Sequence, residues 1–308
     1  MTGTSTSTKD RISAILRLSR LRFLAGGVVA NSFGATLAYY EVGFFDLGLF
    51  IIGQLVVTLT TLMVQYQNEY WDIESDRLST QRIFSGGSGA LAKGLLSRKT
   101  ALLLSVASIS FAALLMIFLC YALSNRGYLA LIFLLAAFLS WAYSSPPLRL
   151  LSTGLGELNV AIILAVITPL FQYYLQTGSV STILILCLPM FFFAFSIPLS
   201  FSYPDYQVDK QTGKRTLLVR LGWKKTDRLH VVLLALGYAS LAAVQFTSAP
   251  VSAIYLPFLT VPLALAMASI LLNPEPTIEM LVRNTIYAAL LPLLIAVLQM
   301  ASLLTGRS

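Results

Sequence analysis

The stretch GLFIIGQLVVTLTTLMVQYQNEYWDIESD, Gly48–Asp76, decides how the chain reads. Residues 48–68 carry no charge. At 1.5 Å per residue a helix of this length crosses about 30 Å of hydrocarbon. The run then ends in NEYWDIESD, Asn68–Asp76, where Glu69, Asp72, Glu74 and Asp76 set four acidic residues in nine positions.

The rest of the chain has the character of that run. It holds 308 residues, 57% hydrophobic and 11% charged, with a mean hydropathy of +0.79. A soluble domain carries about 25% charged residues. The composition therefore points to an all-α, polytopic membrane protein, since helices alone satisfy every backbone group within one segment. Nine transmembrane helices around a central cavity are expected, at about residues 21–40, 48–70, 101–123, 128–144, 155–176, 181–203, 229–247, 253–272 and 285–304. Residues 1–19 read as a polar N-terminal tail, its first ten residues disordered. Residues 20–308 read as one transmembrane domain. No cleavable signal pattern is visible, and the apolar run from Leu21 is long enough to stay as a membrane helix.

Charge sets the expected orientation. With the N-terminus in the cytoplasm, 19 of the 21 basic residues fall on the inner side, leaving only Arg126 and Arg307 outside. This is the positive-inside pattern. It accounts for most of the net charge of +8 without nucleic acid as a partner. Cys120 and Cys187 lie inside apolar runs and read as small buried hydrophobes. With one histidine, His230, the donor set argues against a zinc site or a His-dependent triad.

Asn68, Asp72 and Asp76 are four apart, so each step turns about 40° and the three share one helix face. Asp205 and Asp209 repeat the spacing after the sixth apolar run. Like charges at this spacing repel, and setting them at a membrane helix end raises the cost. A solvated helix end explains one such cluster. Two, both expected on the cytoplasmic side and both followed by basic loops, favour a counter-cation. Hard oxygen donors suit Mg²⁺, which binds through few carboxylates together with substrate phosphates. Arg77, Arg82, Lys93, Lys214 and Arg215 can meet phosphate oxygens. FSGGSG, Phe84–Gly89, offers a turn that an anion can approach. A lipid diphosphate, head on the acids and tail in the bilayer, fits this arrangement.

At these residues the chain resembles the UbiA superfamily of intramembrane prenyltransferases. NEYWDIESD resembles the first motif, Asn-x₃-Asp-x₃-Asp. PDYQVDKQTGKRTLLVRLG, Pro204–Gly222, resembles the second, Asp-x₃-Asp followed by Gly-Lys-Arg-Thr. FSGGSGALAKGLLS, YSSPPLRL and GLGELNVA are similar to the branch that prenylates 1,4-dihydroxy-2-naphthoate in menaquinone synthesis. The resemblance covers about residues 20–300. It implies that Asn68, Asp72, Asp76, Asp205 and Asp209 hold Mg²⁺ and diphosphate, the four aspartates being the catalytic set. It implies that Arg82, Lys214 and Arg215 stand near the diphosphate, and that Tyr143 and Ser144 line the cavity. The implied partners are a polyprenyl diphosphate, an aromatic acceptor and the lipid bilayer. Two positions depart from the branch: Phe201 replaces an Asn, and Arg20-Leu21 replaces Arg-Pro.

The implied chemistry is ionisation of the allylic diphosphate and attack by an electron-rich aromatic acceptor. Tyr66, Tyr143, Phe171, Tyr173 and Tyr174 are candidates to face the cation. Glu69 is a candidate neighbour of the metal ligands or of the acceptor, and Glu74 reads as solvated. Glu157 reads as a carboxylate at the positive end of its own helix, with a catalytic role as the alternative. Asn31 reads as either cavity-facing or hydrogen-bonded between helices. Pro169, Pro189 and Pro198 are expected to kink helices and open the cavity. The rival readings are a prenyltransferase for another acceptor, a terpene cyclase, a transporter and a non-catalytic scaffold. The transporter reading conflicts with acids gathered at one face, not at the midplane.

Overall fold

The structure is a computed structural model that describes residues 8–78, 87–247, 249–250 and 252–306. Every regular element among the described residues is helical. In chain order these are α1 (Thr8–Leu18), α2 (Leu24–Val42), α3 (Leu47–Trp71), α4 (Ile73–Leu78), α5 (Arg98–Ala122), α6 (Leu129–Ser144), α7 (Gly156–Ile162), α8 (Thr168–Thr177), α9 (Cys187–Ser202), α10 (Tyr206–Gln211), α11 (Leu217–Leu221), α12 (Trp223–Ala243), α13 (Ser252–Tyr255), α14 (Val261–Leu271) and α15 (Ile278–Thr305).

All nine expected segments are helical, but seven among the described residues are long and apolar enough to span a bilayer. The other two are α2 and α6. Gly26, Gly27, Asn31, Ser32, Gly34 and Glu41 dilute the hydropathy of α2. Helix α6 has 16 residues, about 24 Å of rise, because the chain turns at Ser144-Ser145-Pro146-Pro147. The N-terminal segment also differs from expectation: it is helical from Thr8. Ala14 and Leu18 of α1 are buried, and the Ser19 hydroxyl lies 2.8 Å from that of Tyr66.

Side chains close the ends of the long helices. Asp46 accepts the Leu49 N–H at the start of α3, Ser97 that of Thr100 at α5, and Thr277 that of Met280 at α15. Each cap satisfies a donor the helix itself leaves open. The segment from α7 to α8 is one rod with a π-helical turn, Ile163–Ile167, in its middle. Pro169 follows directly; it has no N–H for the helical ladder, and the widened turn absorbs the break. Pro198 lies inside α9, whereas Pro189 sits in its first turn, where a missing N–H costs nothing.

Burial ranks the helices. The Gly156–Thr177 and Thr182–Ser202 spans are 61% and 56% buried, against 22% for Leu47–Trp71 and 28% for Arg98–Ala122. The α7–α8 rod and α9 are therefore central. Helix α5 turns Leu103, Phe111, Leu114, Ile117 and Phe118 outward, as a lipid-facing helix does. Contacts sort the loops into two ends. Glu41 meets Tyr173 and Ser181 at one end, and Asp46 meets Gln176 there. At the other, Asp72, Arg149 and Lys214 converge, and Ser152 accepts the Arg215 N–H.

Candidate active site

A cavity of about 300 Å³ opens at this second end and runs inward between α3, α6, the α7–α8 rod and α9. Along α3 it is lined from Asp72 back to Val56, about 24 Å of helix rise. Its depth is apolar, walled by Val56, Phe133, Ile167 and Phe171. Its mouth is lined by Asn68, Asp72, Asp76, Asp205 and Asp209, so both acidic motifs face one space.

The motif spacing is realised as backbone hydrogen bonding. Asp72 N–H donates to the Asn68 carbonyl, Asp76 N–H to that of Asp72, and Asp209 N–H to that of Asp205. The four-residue hydrogen bonding thus continues through Asp72, the bend between α3 and α4. The Asn68 amide Nδ2 donates to Asp72 Oδ2 at 3.2 Å and to Ser144 Oγ at 3.3 Å, leaving its carbonyl oxygen for another partner.

Asp72, 5% exposed, is paired on both carboxylate oxygens. Lys214 Nζ lies 2.8 Å from Oδ2 and an Arg149 Nη2 lies 3.1 Å from Oδ1. Lys214 comes from the loop after α10, so this pair ties the second motif to the first. Burial works against the Lys214 ammonium, but Asp72 and Asp209 more than offset it and hold the group above its ordinary pKa.

A second ion pair anchors the rim. Glu69, 1% exposed, accepts from Arg20 Nη2 at 2.8 Å and Nε at 3.2 Å, and also from the Ser88 backbone N–H. Gly87, at φ 68°, approaches Asp76 so closely that a Cβ there would fall on the Asp76 carboxylate. Arg20 and Arg149 are the two described non-glycine residues in the left-handed region, at φ 42° and 40°. Such backbone is costly for a side chain. In both cases the guanidinium it aims meets an acid of this site.

Burial first, then neighbouring carboxylates, push Asp76 and Asp209 up to about 7. Five acids line the cavity, counting Glu157, against two basic residues, Arg20 and Lys214. An anionic ligand cannot enter such a field without added positive charge. The donors are hard oxygens, and the excess of buried carboxylates fits a divalent cation such as Mg²⁺. Among the described residues no three His, Cys, Asp or Glu side chains already close on a single point. Lys214 and Arg149 hold the Asp72 oxygens instead.

Other expected residues are distributed unevenly. Tyr143 lines the cavity, and Ser144 is buried behind Asn68. Arg82 lies outside the described residues. Arg215 is exposed and away from the cavity, as is Lys93. Arg77 pairs with exposed Glu74. Of the candidate aromatics, Tyr143 and Phe171 line the space. Tyr66 is tied to Ser19, Tyr173 to Glu41, and Tyr174 accepts the Tyr128 N–H. Asn31 is fully buried, off the cavity and without a hydrogen bond among the described residues. Phe201, the departure from the branch, lines the mouth edge-on to Phe23 at 5.9 Å between ring centroids. Arg20, which the sequence marks as a topological charge and as the Arg-Leu departure from Arg-Pro, and Arg149, marked by its topological charge alone, both meet acids of the site; Glu157, a capping or catalytic carboxylate by sequence, lines the cavity.

Fold and site together define a polytopic membrane protein with an acid-mouthed, apolar-walled cavity. The chain belongs to the UbiA prenyltransferase family, whose profile matches residues 28–279. It is 27% identical over 262 residues to the 1,4-dihydroxy-2-naphthoate octaprenyltransferase of Bacillus subtilis (strain 168), covering 84% of this chain and 83% of that one. It is 26% identical over 299 residues to the 1,4-dihydroxy-2-naphthoate octaprenyltransferase of Escherichia coli (strain K12), covering 94% and 95%. Its fold is similar to that of a UbiA homologue from Archaeoglobus fulgidus bound to DMAPP and Mg²⁺, with a TM-score of 0.67 at 19% identity, over 94% of this chain and 98% of that one. The protein is a prenyltransferase.

Proposed function

We propose that the chain transfers a polyprenyl group from an allylic diphosphate to 1,4-dihydroxy-2-naphthoate, within residues 20–308 acting as one unit. The observation that carries this reading is the shared cavity: both acidic motifs at its mouth, apolar walls behind them. The names of the two curated relatives support the acceptor. The basic residues gathered at the mouth's end support a cytoplasmic site and N-terminus.

Asn68, Asp72, Asp76, Asp205 and Asp209 would hold Mg²⁺, as the ion bound with DMAPP in the Archaeoglobus homologue suggests. Bound there, Mg²⁺ supplies positive charge to the diphosphate as a leaving group. Lys214 and Arg20 add hydrogen bonds to its oxygens, and Arg82 is proposed to do the same. The prenyl tail follows the apolar wall of α3 inward. Phe133, Tyr143 and Phe171, which line the cavity, would stabilise the allylic cation, and the apolar depth would keep water from it. The acceptor ring carbon then supplies the electron pair for the new C–C bond.

The test is transfer in detergent with Mg²⁺, a set of prenyl diphosphates and a panel of acceptors, read by mass spectrometry. A prenylated, decarboxylated naphthalenediol is expected. Product only from another acceptor, a cyclised hydrocarbon, or flux across liposomes without diphosphate cleavage would replace this reading.

A further inference from the structure

Two oxygen atoms on the cavity wall have no role in the site described so far. Glu157 is 2% exposed and lines the cavity. Its Oε1 accepts the Leu217 N–H at 2.9 Å, which fixes the side chain against the start of α11. Its Oε2 has no hydrogen-bond partner among the described residues. Asn159, 3% exposed, also lines the cavity. Its Nδ2 donates to the Leu139 carbonyl at 3.2 Å, and its Oδ1 is likewise unpartnered. A buried oxygen without a donor is costly. Here two stand on one short helix, both on the same cavity.

The wall beside them is closely packed. Gly156 begins α7 against Tyr143: a Cβ there would stand 3.3 Å from Tyr143 Cε2 and 2.7 Å from the Leu151 Cα. Only glycine lets the helix start this close, and Glu157 is the next residue, lining the same cavity as Tyr143. The carboxylate also lies near the metal-site acids, since its charge contributes to the field on Asp209.

We infer that Glu157 and Asn159 form the acceptor subsite, and that each receives a hydroxyl of a dihydroxylated aromatic ring. The inference rests on the prenyl-transfer reading above. Two acceptor atoms need a ligand that brings donors. A phosphate-bearing acceptor would instead set anion against anion at Glu157.

The step balances as follows. The allylic C–O bond breaks and its electron pair leaves on the diphosphate. The ring carbon next to a hydroxyl forms the C–C bond, and that hydroxyl's proton passes to Glu157 Oε2, leaving a ring ketone. The same ring carbon then releases its carboxylate as carbon dioxide. The resulting enolate takes the proton back from Glu157, which restores both the ring hydroxyl and the carboxylate.

The test compares 1,4-dihydroxy-2-naphthoate with its two monomethyl ethers, in wild type and in Glu157→Gln. Glutamine keeps an oxygen for Leu217 N–H but cannot accept the ring hydroxyl through its amide nitrogen. Wild type should prefer the free diol to at least one ether by about 100-fold in kcat/KM, within the range for a positioned base. Glu157→Gln should lose about that factor with the diol and show little preference between diol and ether, while KM for the prenyl diphosphate stays within about twofold. A Glu157→Gln enzyme as fast as wild type overturns the inference alone. So does a slow one that keeps the wild-type preference, since that marks a structural role. A wild type indifferent to both ethers overturns it without any variant. A wild type that transfers to no acceptor sinks the reading of the reaction and this inference together.

Discussion

Lys214 Nζ lies 2.8 Å from Asp72 Oδ2 across 142 positions of sequence. The contact joins the loop after α10 to the end of α3, so the two acidic motifs are held as one mouth. Lys214→Ala removes a hydrogen bond to a charged, buried group, worth about 1.5–3 kcal/mol. The expected result is a lower melting temperature in detergent and a higher KM for prenyl diphosphate. Lys214→Arg should recover part of both. A KM unchanged in Lys214→Ala would remove this residue from the diphosphate site.

Asp76 and Asp209 respond to pH in a defined direction. Their folded values, about 7, lie above the unfolded carboxyl value of 3.8. Raised groups contribute stability below the unfolded value and lose it as pH climbs through the folded one. Metal-free protein should therefore lose stability between about pH 4 and 7. Because the ions compete with protons for these oxygens, the melting shift caused by Mg²⁺ should grow from pH 6 to 8. Asp76→Asn should flatten both trends. Thermal unfolding across pH, with and without Mg²⁺, measures this; a Mg²⁺ shift of constant size would contradict it.

Glycine at 87 and at 94 makes a matched pair. Both sit in the left-handed region, at φ 68° and 70°, but a Cβ at 94 meets nothing within 4 Å. Gly94→Ala should cost about 1–2 kcal/mol of stability and leave the rate near wild type. Gly87→Ala carries the same cost and also sets a methyl on the Asp76 carboxylate. Transfer activity in Gly87→Ala should fall more than about tenfold, a barrier change of about 1.4 kcal/mol. Equal activities in the two variants would show that the Gly87 contact does not matter.

Glu69 holds the Arg20 guanidinium, which is 11% exposed, and the Ser88 N–H together. Removing one partner of a buried pair costs about 3–5 kcal/mol. Glu69→Ala should unfold early and bind prenyl diphosphate poorly. The double variant Glu69→Ala with Arg20→Leu should recover stability but not binding, because Arg20 lines the cavity. Denaturation curves with a binding assay separate the two effects; binding at wild-type strength in the double variant would release Arg20 from the site.

Much of this molecule is legible because a bilayer imposes few solutions. The apolar run ending at Trp71 had to be a helix, and the four-residue spacing of Asn68, Asp72 and Asp76 had to share a face. What escapes the sequence is contact between distant segments. Glu157 looks like a dipole-end acid of α7 until Leu217, sixty positions on, is seen to bind it. Arg149 follows a proline pair and looks like a topological charge until its left-handed backbone is seen to aim it at Asp72. Arg215 and Lys214 are neighbours, and nothing local tells which one turns inward. The end of α6 at Ser144, by contrast, is legible, because Pro146-Pro147 stop the helix; that this end lies beside Asn68 is not.

The most direct measurement is prenyl diphosphate binding to the purified protein at pH 7.5, by calorimetry, in Mg²⁺ and in EDTA. It should be run on wild type, Asp72→Asn and Asp209→Asn. Tight binding only with Mg²⁺, lost in each variant, is the expected outcome, since one aspartate from each motif is then needed for a single head group. Equal binding in EDTA, or either variant binding as wild type does, would contradict a shared metal–diphosphate mouth.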